Sequence, residues 1–436
     1  MAKITGRQKV RQEVYFIVCL KDDNALAKDR QPMKHFNNYL HRLSEIPSCI
    51  WFLGIGSFFI DISSVLVFTF TPLYLFNVLG VSTLGIGVME GVVSILSLLM
   101  RLISGLISDY FRVRRPIILF GYSFAFLSRL LFVFLPSVGW IFVARVLDRI
   151  GHGFQSSTAD VAPPHLRGAC YGLRQALGMF GSVTGAIIGL WVMRNNSQNY
   201  QLIFKILIIP SLIGLFILFT GVKEPLLPKR VGPHRQSFVE FKKALRLLKK
   251  PFWMLMLTLF IFSLGWYSDV FLILFTKNLG METSQAPFIM LAMNTASTFS
   301  SYFSGAFSDK KGRSSYLRLA IVSAFIANVL FMVSSYSSSL WIAGVGSILW
   351  GTQTGIMHSI SSIIIAELAP LKLRATAFGI FYILNGIALL LASIVCGWLS
   401  QLLGFFIAFL LSASLSILAF LIYKMDNYTD SPEGIA

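Results

Sequence analysis

The chain has 436 residues, 55% of them hydrophobic and only 13% charged, against about 25% charged in soluble globular domains, and so small a polar fraction excludes a water-soluble fold. Its apolar residues fall in continuous runs of about 20, the length that crosses a bilayer core as a helix; the runs do not alternate, which excludes a barrel and marks an all-α integral membrane protein. A formal net charge of +18 would suggest nucleic acid as partner of a soluble chain, but here the placement of the charge points to membrane topology, and no nucleic-acid partner is expected.

In chain order, residues 1–48 form a basic N-terminal tail. Its segment 11–20, RQEVYFIVCL, is apolar but too short to span, and reads as an interfacial helix or as unstructured; Met33 is an alternative start. No cleavable signal peptide is read. Twelve spans follow, near 49–76, 83–108, 116–136, 140–159, 169–193, 201–222, 251–276, 285–308, 316–336, 339–368, 375–401 and 404–424. Their connections are short except 223–250, a polar and basic cytoplasmic linker. It separates an N-terminal six-helix half, 49–222, from a C-terminal half, 251–424, and residues 425–436 form a C-terminal tail.

Of the 37 Lys and Arg residues, 29 fall in the tails, the linker and the loops of one side, while only Arg194 and Lys277 fall on the other. The positive-inside rule then places both termini in the cytoplasm of a cell (inner or plasma) membrane. Cys19, Cys49, Cys170 and Cys396 show no paired spacing, so neither a disulfide framework nor a metal site is expected. No phosphate-cradling loop or nucleophile motif is present, so neither a cofactor nor an enzymatic activity is expected.

The halves repeat. SGLISD at 104–109 recurs as SGAFSD at 304–309, and Leu79-Gly80 recurs as Leu279-Gly280, both at an offset of 200. Asp160-Val161-Ala162-Pro163 recurs as Glu367-Leu368-Ala369-Pro370, and Arg167 with Gly172 as Arg374 with Gly379, at an offset of 207. Matches at Asp, Pro, Arg and Gly are not what shared apolar composition produces. Parallel repeats of this kind place a solute site near the midplane between two pseudo-symmetric halves.

SGLISDYFRVRR and SGAFSDKKGRSS resemble the loop signature of the major facilitator superfamily, G-x-x-x-D-R/K-x-G-R-R/K. The second copy supplies Gly305, Asp309, Lys310, Gly312 and Arg313. The first departs from it, with Gly105 and Asp109 followed by Tyr110 for a basic residue, Arg112 for Gly and Val113 for Arg. ARVLDRIGHG at 144–153 resembles the signature of the fourth helix. Asp61-Ile62-Ser63-Ser64 is similar to a bacterial branch whose members are mostly uncharacterised or described as drug or metal efflux proteins, although Val65 stands where that branch has Glu. The resemblance covers about 49–424 and implies twelve helices in two halves that rock about a central cavity lined by helices 1, 4, 7 and 10.

On that reading Gly105, Asp109, Arg112, Gly305, Asp309, Lys310, Gly312 and Arg313 form a conformational latch. The carboxylates would meet helix N-termini or Arg side chains in one state and release them in the other; the bland alternative is a helix-end charge facing water. Gly105 and Gly305 would let helices approach closely.

Charges inside spans are costly and face a polar interior. Asp61, Glu90, Asp148 and Asp269 are the candidate proton carriers, Asp61 first because it lies near the middle of its span. Its alternative is a fixed pair with Arg101, Arg129 or Arg145. Arg101, Arg129, Arg145 and Arg149 form the charge network. Asp148 either titrates under the influence of Arg145 or belongs to a structural ion-pair set with its neighbours, His152 included. Glu90 and Arg101, eleven residues apart, share a helical face without touching, so each requires another partner.

Trp266, Tyr267, Asn294, Trp350, Gln353 and His358 are the candidate cavity residues. Aromatics beside few polar groups suit an amphipathic, drug-like solute, while packing and interfacial anchoring explain any single aromatic equally well; Asn294 is expected to bond across helices. Gly181, Gly185 and Gly189 repeat at four-residue spacing and resemble part of the proton-drug antiporter signature, but Ala186 stands where its Pro belongs. The expected partners are a small-molecule solute, protons and the lipid bilayer, with the chain monomeric. The expected activity is proton-coupled efflux of drug-like or toxic compounds. The alternatives are an uptake permease for a metabolite or metal chelate, and a membrane sensor or scaffold that has lost transport.

Overall fold

The computed structural model describes residues 48–111, 115–134, 137–155, 167–196, 199–222, 248–370 and 373–425, with the side chains of 102, 105, 106, 108–111, 155, 167–172, 306, 309–311 and 375 outside the described set. Helices stand at every predicted span: α1 Ser48–Asn77, α2 Thr83–Phe111, α3 Arg115–Phe134, α4 Val138–Gln155, α5 Arg167–Asn195, α6 Tyr200–Ile206, α7 Ile208–Gly221, α8 Lys250–Leu264, α9 Val270–Asn278, α10 Ala286–Lys311, α11 Arg313–Ser337, α12 Leu340–Leu368, α13 Arg374–Leu402 and α14 Phe405–Met425.

Among the described helices, eight are long and apolar enough to cross a membrane by length and composition, with α6 and α7 taken together. The other spans depart from that simple pattern for visible reasons. Helix α4 carries Arg145, Asp148 and Arg149, and α10 and α12 are rich in Ser, Thr and Gly, which suit close interior packing.

Two spans read as continuous in the sequence are interrupted. The sixth changes register at Leu207, between α6 and α7. The seventh unwinds over Gly265–Asp269, between α8 and α9. Non-helical backbone at membrane depth must find partners inside the protein: the Gly265 carbonyl accepts from Ser412 Oγ on α14.

The packing repeats between halves. Helix α1 lies on α5 and α7, as α8 lies on α13 and α14; α2 and α3 lie on α4, as α10 and α11 lie on α12. Gly80 and Gly280 end the first and seventh spans at φ 64° and 91°, a left-handed turn that strains any residue with a Cβ, so the repeated Leu-Gly pair is a repeated chain reversal. The Trp residues mark the two membrane edges. Trp51 and Trp253 stand exposed at the starts of α1 and α8, and Trp140, Trp191, Trp341 and Trp398 at the other ends of the bundle, where amphipathic rings anchor.

Call the face where α1 begins and α14 ends the terminal face. On the opposite face a single core joins all twelve spans, including Tyr74, Ile86, Phe132, Ile141, Val192, Phe204, Phe275, Met290, Phe331, Ala343, Cys396 and Phe409. Toward the terminal face this core splits in two. One part holds Phe252, Ile321, Ile360 and Tyr423 of the C-terminal half, the other Ile50, Ile60, Tyr122 and Leu218 of the N-terminal half. The bundle is therefore closed on the opposite face and parted on the terminal face.

Candidate functional site

The closure is built by α2 against α13. Gly87 and Gly91 on α2 and Gly397 on α13 allow backbone contact: a Cβ on Gly91 would stand 2.8 Å from the Leu390 carbonyl oxygen, and one on Gly397 2.6 Å from that of Thr83. Thr83 Oγ1 donates to the Gly397 carbonyl at 3.1 Å, and the Leu84 N–H to Gln401 Oε1 at 3.3 Å. The contact continues down to Ile95 beside Gly386. One turn further the helices part, and Leu98 and Arg101 face Tyr382 and Asn385 across a cavity of some 560 Å³, its open mouth included.

That cavity is lined from α8, α12, α13 and α2 by, among others, Arg101, Ser263, Trp266, His358, Tyr382 and Asn385. Of the six predicted cavity residues it takes Trp266 and His358. Among the described residues, helices α1 and α4 contribute nothing to the lining. Trp350 and Tyr267 are buried behind it, stacked at 4.6 Å between centroids. Gln353 is wholly buried, donating to Thr354 Oγ1 at 3.1 Å and leaving its own Oε1 without a partner. Among the described residues, Asn294 makes no cross-helix side-chain bond; its carbonyl receives Thr298 Oγ1 instead. The cross-helix bond belongs to Asn328 on α11, whose Oδ1 accepts from Tyr267 Oη at 3.3 Å.

Above the cavity, toward the closed face, lie two buried ion pairs. Arg129 on α3 holds Asp148 on α4 and donates to Ser64 Oγ on α1 at 2.8 Å. Arg145 on α4 holds Glu90 on α2. Asp148 thus pairs with Arg129, and Arg145 with Glu90, because Glu90 and Arg145 each lie seven residues into parallel-packed helices that begin at the same face. Glu90 Oε2 also accepts from Ser268 Oγ at 3.2 Å, reaching the break in the seventh span. Arg145 and Arg149 lie over the Phe68 ring of α1, at 5.0 and 5.2 Å. His152 Nε2 is 3.8 Å from Asp148 Oδ2.

Two carboxylates stand outside this pairing. Asp269 accepts a hydrogen bond from Trp350 Nε1 at 2.8 Å. Asp61 has no hydrogen-bond or ion-pair partner within reach among the described residues; Arg174 and Arg129 act on it only electrostatically. Its Oδ2 lies where a Cβ on Gly178 of α5 would come within 2.5 Å. Gly181, Gly185 and Gly189 continue that stripe along α1, against Phe58, Ile62 and Leu66. Protonating Asp148 or Glu90 breaks an ion pair at membrane depth; protonating Asp61 breaks none.

The predicted latch is described in part. Arg313, at the start of α11, pairs with Glu367 at the end of α12, which the repeat places opposite Asp160. Gly312 carries the chain between α10 and α11 at φ 81°. At Gly305, where close approach of helices is expected, a Cβ would meet nothing within 4 Å among the described residues. Gly105, the side chains of Asp109, Asp309 and Lys310, and all of Arg112 lie outside the described residues, as do the tail 1–47, most of the linker and 426–436.

The family model of the Major Facilitator Superfamily matches residues 53–361. An uncharacterised MFS-type transporter of Methanocaldococcus jannaschii is 26% identical over 370 residues, covering 81% of this chain and 89% of that protein. Among solved structures, a variant of the nucleoside transporter NupG aligns with TM-score 0.70 at 16% identity, covering 86% of this chain and 99% of that one. The D-xylose-proton symporter aligns with TM-score 0.66 at 18% identity, covering 86% and 97%. At such identities the structural likeness shows the fold, and the family match extends over more than half of the chain. This chain belongs to the major facilitator superfamily, a multi-pass membrane protein that transports a solute.

Proposed function

We propose that the chain exchanges an amphipathic organic solute for protons by alternating access, in the direction of efflux, with Asp61 as the proton carrier. The observation that carries this reading is Asp61 itself, a carboxylate at membrane depth that no described group pairs. With both termini cytoplasmic, as the basic residues direct, the parted terminal face is the cytoplasmic one and the solute enters from inside. The protein acts as a monomer in the cell membrane, as a transporter without enzymatic activity. Its N- and C-terminal six-helix halves are the moving units.

Uptake together with protons is the second reading, favoured by Ala186 in place of the antiporter Pro. Proteoliposomes with an imposed pH gradient separate the two. Exchange drives aromatic solutes into the acidic compartment, and uptake with protons drives them into the alkaline one. Asp61→Asn is expected to abolish the response to the gradient while leaving solute counterflow intact; a gradient response equal to the wild type removes Asp61 as carrier.

A further inference from the structure

We propose that the cavity between α2, α8, α12 and α13 is a binding site for an aromatic organic anion, which deepens the transport reading above and rests on it. Arg101 stands 18 residues past Thr83 on α2, and His358 stands 18 past Leu340 on α12. Both helices begin at the closed face, so the two groups lie at the same depth, about 27 Å along each helix. Both line the cavity, and each is within electrostatic reach of the other.

Among the described residues, neither has a partner. No hydrogen bond or ion pair reaches the Arg101 guanidinium, and the His358 imidazole has only a ring contact, to Trp266 at 5.6 Å. Among the described residues the lining holds no Asp or Glu. The nearest carboxylates of the closed side are engaged, Glu90 by Arg145 and Asp269 by Trp350. A guanidinium is always charged and offers five donors in a planar fork. Arg101 is exposed at the cavity, free to hold a bound carboxylate or sulfonate in a bidentate pair. A cationic solute meets like charge and no acceptor of opposite sign.

The rest of the lining fixes the other half of the ligand. Trp266, Phe381 and Tyr382 give flat apolar walls, with Asn385 and Ser263 as neutral polar contacts. Rings favour rings in offset or edge-on contact. A planar ring system with one acidic group matches both parts, and an inorganic anion matches only the charge.

Calorimetric titration of the purified full chain tests this with four probes of similar shape or charge: naphthoate, naphthylmethylammonium, naphthamide and sulfate. Naphthoate is expected to bind at least about tenfold more tightly than the other three, the value of one charge-assisted hydrogen bond. Arg101→Gln is expected to erase that preference while leaving naphthamide binding and the melting temperature unchanged, and Arg101→Lys to restore part of it. Equal or tighter binding of naphthylmethylammonium, absence of naphthoate binding, or an Arg101→Gln protein that binds naphthoate like the wild type overturns the proposal. Sulfate binding as tightly as naphthoate also overturns it, since the rings then contribute nothing. Counterflow of naphthoate in proteoliposomes distinguishes the two levels. Binding without exchange supports the site and removes the transport reading, and exchange of naphthylmethylammonium in preference to naphthoate does the reverse.

Discussion

Glu90 on α2 is shared between the two halves of the molecule: it holds Arg145 of α4, and its Oε2 accepts the Ser268 hydroxyl at 3.2 Å. Ser268 lies in the break of the seventh span, where the helix is interrupted over Gly265–Asp269. The bridge therefore ties the N-terminal half to the interruption of the seventh span in the C-terminal half, on the side that is closed. Cys396, buried in the same closed core, reports on that closure. In a chain whose other three cysteines are replaced by Ser, Ser268→Ala is expected to raise the rate of Cys396 alkylation by N-ethylmaleimide about tenfold, the effect of losing one hydrogen bond to a charged group. An unchanged rate in a folded protein removes the bridge from the closure.

Glycines on the two faces should act in opposite directions. At Gly91 an added Cβ would collide with the Leu390 carbonyl oxygen at 2.8 Å and its Cδ1 at 2.9 Å, and packed backbone does not yield to such contact. Gly91→Val is expected to prevent closure, exposing Cys396 and stopping counterflow. At Gly305 the added group meets no described atom within 4 Å. If the terminal face closes during the cycle, Gly305→Val obstructs only that closure, and Cys396 becomes less reactive than in the wild type. The same direction of change in both variants contradicts a two-state exchange of closures.

Much of the fold was legible because lipid forces continuous apolar runs to be helices, and because the basic residues and the repeated Leu-Gly, Ser-Gly and Ala-Pro elements sit at fixed offsets. The pairing of charges was not. Spacing along α4 suggested that Arg145 acts on Asp148, yet their partners are set by α2 and α3, whose rotation about their axes no local pattern records. The break at Gly265–Asp269 was hidden for a similar reason: Trp266 and Tyr267 keep the segment apolar, and its carbonyl is satisfied by Ser412, 147 residues away. The Gly87-x-x-x-Gly91 pair was a readable small-residue motif that signals close packing, and it marks the α2–α13 closure. Arg101 was read as one member of a charge network; only its depth beside His358 separates it from the paired arginines.

The ion pair between Arg129 and Asp148 is buried, with 0% and 5% of the side chains exposed. Removing one member leaves the other charge without compensation, at a cost of about 3–5 kcal/mol. Asp148→Leu is therefore expected to lower the melting temperature in detergent strongly. Adding Arg129→Leu should restore most of the loss, since two apolar groups replace the pair without an orphaned charge. Ser64→Ala, which removes one neutral acceptor from Arg129, is expected to have a smaller effect than either single charge removal. A double variant as unstable as Asp148→Leu alone shows that the uncompensated guanidinium is not the source of the loss.

Gly178 offers a test of Asp61 that leaves every charge in place. A Cβ at position 178 would lie 2.5 Å from Asp61 Oδ2, closer than carbon and oxygen pack, so the carboxylate of Gly178→Ala must turn away from α5. Gly181, three residues on, packs against the Phe58 backbone, so the helices cannot separate locally to accept the methyl group. The displaced Asp61 would retain its charge but lose its place beside Arg174 and Arg129. Gly178→Ala is expected to flatten the pH dependence of exchange as Asp61→Asn does, and the double variant to behave like either single one. If Gly178→Ala responds to pH as the wild type while Asp61→Asn does not, the position of the carboxylate is immaterial and only its charge is used. If the two effects add, they act through separate sites, and the packing of α5 on α1 then governs the moving bundle independently of the proton.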